Sequence, residues 1–101
     1  MKTAIELIQE EMQRSEALYG YSDEWIAEAT EDYGKGELAL AAASYLLSDQ
    51  WLTKDDGYLP DILFPWDIGI YFKPSPEDRV KELVKAASMI CREITRIQNI
   101  K

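Results

Sequence analysis

The sequence predicts an all-α fold: a compact bundle of about four helices around a buried Ala-rich helix, with a long aromatic loop before the C-terminal helix. Three observations carry this expectation. Glu37 to Leu47 reads Glu-Leu-Ala-Leu-Ala-Ala-Ala-Ser-Tyr-Leu-Leu, strong helix formers with apolar residues on nearly every side, so neighbours are expected to enclose it. A helical apolar period runs near the amino terminus and again, most clearly, in the last quarter of the chain. Between the central and last helices, from Asp49 to Pro74, no such period survives, and Pro60, Pro65 and Pro74 lack the amide hydrogen that regular structure needs.

Each element has its own local signal. Thr3 followed by Glu6 fits a capping box, and Ile5, Ile8, Met12 and Leu18 follow a helical period, so the first helix is expected from Thr3 to about Leu18, ended by Gly20. Tyr19 and Tyr21 flank that glycine as covers for the helix end. Ser22 or Asp23 then caps a short second helix with Trp25, Ile26 and Ala29 on one side, and Gly34 and Gly36 break it. Glu37 lies in the first turn of the central helix, where a carboxylate suits the positive end of the dipole.

Loops as long as the Asp49–Pro74 segment are uncommon in compact domains unless they pack as a unit or serve a function. This one holds Trp51, Tyr58, Phe64, Trp66, Tyr71 and Phe72, so it is expected to fold over the core. The last helix has the clearest start signal: Ser75 as cap, Pro76 at the first helical position, then Glu77 and Asp78 in the first turn. Val80, Leu83, Val84, Ala87, Ile90, Cys91, Ile94 and Ile97 form one continuous apolar stripe along it, while Lys81, Lys85, Arg92 and Arg96 project elsewhere.

A chain of 101 residues fits one domain with one core that buries roughly two thirds of its surface. With 47% hydrophobic residues, disorder is not expected, and the absence of a long apolar run or a signal pattern predicts a soluble, cytoplasmic protein without a membrane partner. Cys91 stands alone, so an internal disulfide is excluded, and its place in the apolar period predicts a small core residue. The net charge of -8 divides unevenly. Residues 1 to 72 carry 4 basic and 15 acidic side chains, and residues 73 to 101 carry 7 and 4, giving -11 against +3. So acidic a surface is a poor partner for duplex nucleic acid. It suits attraction between the two ends instead, within one chain or between subunits, and a homo-oligomer is expected through the last helix.

The chain has no histidine, which removes His-containing catalytic triads and imidazole zinc sites. Glu28 and Glu31, separated by two residues on one expected helix, have the spacing to share a magnesium ion with help from Glu37, as in all-helical nucleotide pyrophosphohydrolases. The plain alternative is a solvated acidic face. A different class of reading presents Glu10, Glu11, Glu28 and Glu31 in place of phosphates, as an acidic inhibitor of a host enzyme.

The loop Phe64 to Pro74 offers chemistry for a planar ligand. Trp66 and Tyr71 supply stacking faces, Asp67 accepts hydrogen bonds from a base or ribose, and Lys73, Arg79 and Lys85 neutralise phosphate charge. The bland alternative is that these rings only lid the central helix, with Asp67 and Lys73 closing the loop. The binding reading needs no cofactor and no catalytic residue.

Phe64-Pro65-Trp66-Asp67 and Lys73-Pro74, with Gly20-Tyr21-Ser22, Gly36-Glu37-Leu38-Ala39, Leu83-Val84-Lys85-Ala86 and Glu93-Ile94-Thr95-Arg96, form an ordered set. Over Gly20 to Arg96 this set resembles a family of small phage and prophage proteins without a settled activity. The family sometimes accompanies phage nucleotide-metabolism genes. Its members tend to show histidine and aspartate between positions 24 and 33, where this chain has Trp25, Ile26 and Tyr33. The resemblance therefore implies a protein that binds a nucleotide-derived ligand, in an anti-defence role, rather than one that turns it over.

Overall fold

The computed structural model describes residues 1–48, 60 and 63–100, and the backbone of 53–54 and 57–58. Trp51 and the side chain of Tyr58, two of the expected loop aromatics, lie outside the described residues. The fold is all-α. Helix α1 spans Ala4–Tyr19, α2 Asp23–Glu28, α3 Thr30–Tyr33, α4 Glu37–Leu46, α5 Ile68–Tyr71 and α6 Arg79–Gln98. Within the loop after α4, Thr53–Lys54 and Gly57–Tyr58 pair as a minimal antiparallel ladder, with Thr53 opposite Tyr58.

The local signals at the first two helices act as expected. Thr3 and Glu6 form the reciprocal capping box, and Gly20 ends α1 at φ 75°, a left-handed conformation that glycine adopts without a Cβ penalty. Ser22 caps α2 by accepting the Trp25 amide at 3.1 Å. The second helix is shorter than its sequence suggests. It breaks at Ala29, where ψ is 61°, and α3 is a separate turn.

Helix α4 packs along α6, and α1 and α2 also pack against α6. The two long partners run antiparallel: the Arg79 guanidinium at the start of α6 donates to the carbonyls of Tyr45 and Leu46 at the end of α4, and Gly36 at the start of α4 faces Glu93 near the end of α6. Those bonds satisfy C-terminal carbonyls that a helix leaves open. Ala41 and Ala42 of α4, with Ala86 of α6, are buried, and their small side chains let the two backbones close up. Tyr45, Phe64 and Phe72 complete the cluster, with Trp66 and Met89 against it.

Three expectations need correction. The central helix is not enclosed on all sides, since Leu40 and Leu46 are exposed while Leu38, Ala41, Ala42 and Tyr45 face inward. The last helix starts at Arg79 rather than Pro76, with Asp78 as its cap through the Lys81 amide at 3.1 Å. Ser75 is buried and spends its own amide on Glu82 at 3.0 Å, so Ser75 to Asp78 closes a turn instead of opening the helix. Finally, α6 turns its polar side inward. Glu82, Ser88, Arg92 and Glu93 are buried, whereas Val80, Leu83, Ile90, Ile94 and Ile97 are exposed and Cys91 is only partly covered. Partners explain the inversion: Glu82 accepts from Ser48 and Ser75, Arg92 stands 3.1 Å from Asp23 and 3.4 Å from Glu16, and Glu93 is bound by Arg96. No helix among the described residues is long and apolar enough to cross a membrane.

Candidate functional site

A cleft of about 540 Å³ opens between α1, the α2–α3 segment, the loop around Trp66 and the inner side of α6. That volume falls in the range of small-molecule sites. Its wall is a relay of rings. Tyr21 stacks on Trp25 at 5.7 Å between centroids, Trp25 meets Tyr33 edge-on at 5.7 Å, and Tyr33 meets Trp66 edge-on at 5.4 Å. Phe64 backs Trp66 at 5.6 Å and ties the relay to the core. Edge-to-face contacts fix each ring by its quadrupole, and Trp25 and Tyr71 remain exposed.

Local structure sets the ring positions. The Trp66 indole N–H donates to the Asp32 carbonyl at 3.2 Å, which pins the loop to α3. The Tyr45 hydroxyl accepts the Lys73 amide at 2.9 Å and donates to the Tyr71 carbonyl at 3.3 Å, so the central helix holds the far end of the loop. Burial holds the Tyr33 phenol up at about 12 and raises Tyr21 and Tyr45 as well, so these rings stay neutral at physiological pH.

The cations of the cleft differ in how far they are already engaged. Arg14 is bound bidentately by Glu11 at 2.6 and 2.8 Å, which raises its pKa further, and it lies over Tyr19 at 5.9 Å. Arg92 joins α6 to Asp23, Glu16 and the Met12 carbonyl. Lys85 is different. Its ammonium sits 5.1 Å from the Tyr45 ring centroid and 3.4 Å from the Lys73 carbonyl, and no carboxylate among the described residues lies within ion-pair distance. Burial pushes its pKa below the usual 10.5. Glu11 and Glu82 act on it only from beyond ion-pair distance, so an ammonium held half-dry beside rings, with no paired carboxylate among the described residues, is a place for an anion.

Of the six loop-centred residues named from sequence, Trp66, Tyr71, Lys73 and Lys85 line the cleft. Asp67 and Arg79 do not. Asp67 caps α5, its carboxylate accepting the Gly69 and Ile70 amides at 2.9 and 3.2 Å, and Arg79 caps α4. Asp67→Ala is expected to cost about 1 kcal/mol of stability, read from urea unfolding, because α5 loses its only side-chain cap. For the magnesium alternative, Glu28, Glu31 and Glu37 do not gather: among the described residues no three metal-binding side chains come together, and Glu37 accepts the Lys35 amide at 2.6 Å. Glu28 and Glu31 are exposed, while Glu10 is paired with Lys2 and Glu11 with Arg14.

The sequence reading missed the opposite wall: Tyr21, Trp25 and Tyr33, with Arg14 and Arg92. The available signal was the pair Tyr21 and Trp25 on either side of the Ser22 cap, near enough in sequence for the two rings to meet. Compared with protein-family models, curated proteins and solved structures, the chain matches none.

Proposed function

We propose that this protein binds a planar, anionic, nucleotide-derived molecule in the aromatic cleft and sequesters it unchanged. The observation that carries the proposal is the Lys85 ammonium, with no ion-paired carboxylate among the described residues, at a cleft walled by Trp25, Tyr33, Trp66 and Tyr71. A base stacks on an exposed ring of that wall, Trp25 or Tyr71, where stacking contributes roughly 1–3 kcal/mol per base. A phosphate then meets Lys85, with Lys73 beside it, in a charge-assisted contact. The resemblance to small phage proteins adds the setting: a protein in the bacterial cytoplasm that counters host defence by removing a nucleotide-derived signal. It also favours binding over turnover, because the positions where that family carries histidine and aspartate are here Trp25, Ile26 and Tyr33, all at the cleft.

The test is retention followed by release. Purified protein is incubated with cyclic dinucleotides, ADP-ribose derivatives or ordinary nucleotides, desalted, heat-denatured, and the supernatant analysed by mass spectrometry. Near-stoichiometric recovery of one class intact is the expected result. Recovery of a cleaved product would make the protein an enzyme, and no retention of any class would end the proposal.

A further inference from the structure

Helix α6 carries two faces with opposite roles. Lys85, Ser88, Met89 and Arg92 look into the cleft, and Glu82, Ala86 and Glu93 are buried. On the other side Val80, Leu83, Ala87, Ile90, Ile94 and Ile97 follow spacings of three, four, three, four and three, the seam period of paired helices. The large members of that seam are between 40 and 59% exposed. Val84 and Cys91 widen the seam along one edge, and no charged residue interrupts it from Val80 to Ile97. A single chain thus shows water its most regular apolar surface and hides charges behind it. Monomeric proteins rarely expose an apolar strip of this kind.

We propose that a second copy of this chain covers the seam, with the two α6 helices antiparallel about a two-fold axis near the Ala87–Ile90 midpoint. The seam is its own complement in that register. Val80 falls opposite Ile97 of the partner subunit, Leu83 opposite Ile94 of the partner subunit, and Ala87 opposite Ile90 of the partner subunit. Each layer then pairs a side chain with isoleucine, and the small Ala87 is filled by a large neighbour. A parallel pair would set Ala87 on Ala87 and Leu83 on Leu83, giving layers of unequal volume and a void at the centre. From Val80 to Ile97 the strip is about 25 Å long at the helical rise. Closing two such strips buries on the order of 1,000 Å² in all, the lower end of stable interfaces. Because the seam lies across α6 from Lys85, both clefts stay open in the pair.

The mass in solution is the first test. Light scattering at about 50 µM is expected to give twice the 11.6 kDa of one chain. A mass of one chain overturns the proposal. The second test reads orientation. Leu83→Glu and Ile94→Lys are each expected to weaken pairing by tenfold or more while helicity is kept, since both sites are exposed in the single chain. Combined, they place opposite charges across the antiparallel register and like charges across a parallel one. The double variant is expected to pair at least tenfold more tightly than either single variant, and no recovery overturns the antiparallel arrangement. Neither outcome depends on a ligand.

Discussion

Glu82→Ala lowers the unfolding free energy by about 3 kcal/mol at neutral pH and the thermal midpoint by about 15 °C. Glu82 is almost fully buried, and its carboxylate joins three segments: the Ser48 hydroxyl after α4, the Ser75 amide at the turn before α6, and Arg79, whose Nη1 lies 3.6 Å away. Removing it leaves the Ser75 amide buried without an acceptor and opens a void beside the alanine-lined helix contact. Each of those losses costs about 1–3 kcal/mol. Folded domains hold only about 5–15 kcal/mol in total, so the loss is large. Glu82→Gln keeps the shape and one acceptor oxygen and is expected to lose about half as much. Equal, small losses for both variants in urea unfolding would show that the carboxylate is not a joint of the fold.

Lys85→Gln weakens binding of the anionic ligand on the order of 30-fold, which corresponds to about 2 kcal/mol for one charged hydrogen bond. The fold itself should not suffer. Burial holds the folded-state pKa of Lys85 below the unfolded value of 10.5, so its charged form is the one the fold disfavours. The sign of the pH dependence follows. Below the folded pKa the lysine is charged in both states and its desolvation is a constant cost; as pH rises through that pKa towards 10.5 the cost is relieved and stability increases. Ligand affinity moves the other way, falling over the same interval as the ammonium loses its proton. Titrations across the alkaline range check both slopes. In Lys85→Gln the affinity slope should vanish and stability should lose the lysine's rise, keeping only the alkaline fall set by the raised phenols of Tyr21, Tyr33 and Tyr45; an unchanged pH profile of affinity would assign the anion to a different cation.

What could be read from sequence was local. The Thr3–Glu6 box, the Gly20 stop and the Ser22 cap each depend on atoms within four residues, and the folded chain uses all three. The contact of alanines from α4 with Ala86 was legible for a related reason, since small residues in a helix ask for a close neighbour. The direction of α6 was not. Its period marks an apolar stripe without saying what the stripe faces, and the inward polar side is set by Ser48, Asp23 and Glu16, all far away in the chain. The cleft divides the same way. Its loop side, Trp66, Tyr71, Lys73 and Lys85, could be named from one segment and the helix after it. The Tyr21–Trp25–Tyr33 wall depends on α3 docking to that loop through the Trp66 indole, a contact across 34 residues. Asp67 and Arg79 were read as ligand groups because their chemistry fits phosphate and ribose, yet helix ends took them first.

The central claim is that the ring-walled cleft with Lys85 at its side takes up a planar anion. Isothermal titration of cyclic dinucleotides, ADP-ribose derivatives and mononucleotides into the wild-type protein tests it most directly. Saturable heat at one site per chain from at least one of these classes, with affinity weakened at least tenfold in Lys85→Gln and in Trp66→Ala, is the predicted result. No heat from any of them with the protein fully helical, or heat that both variants retain in full, would contradict it.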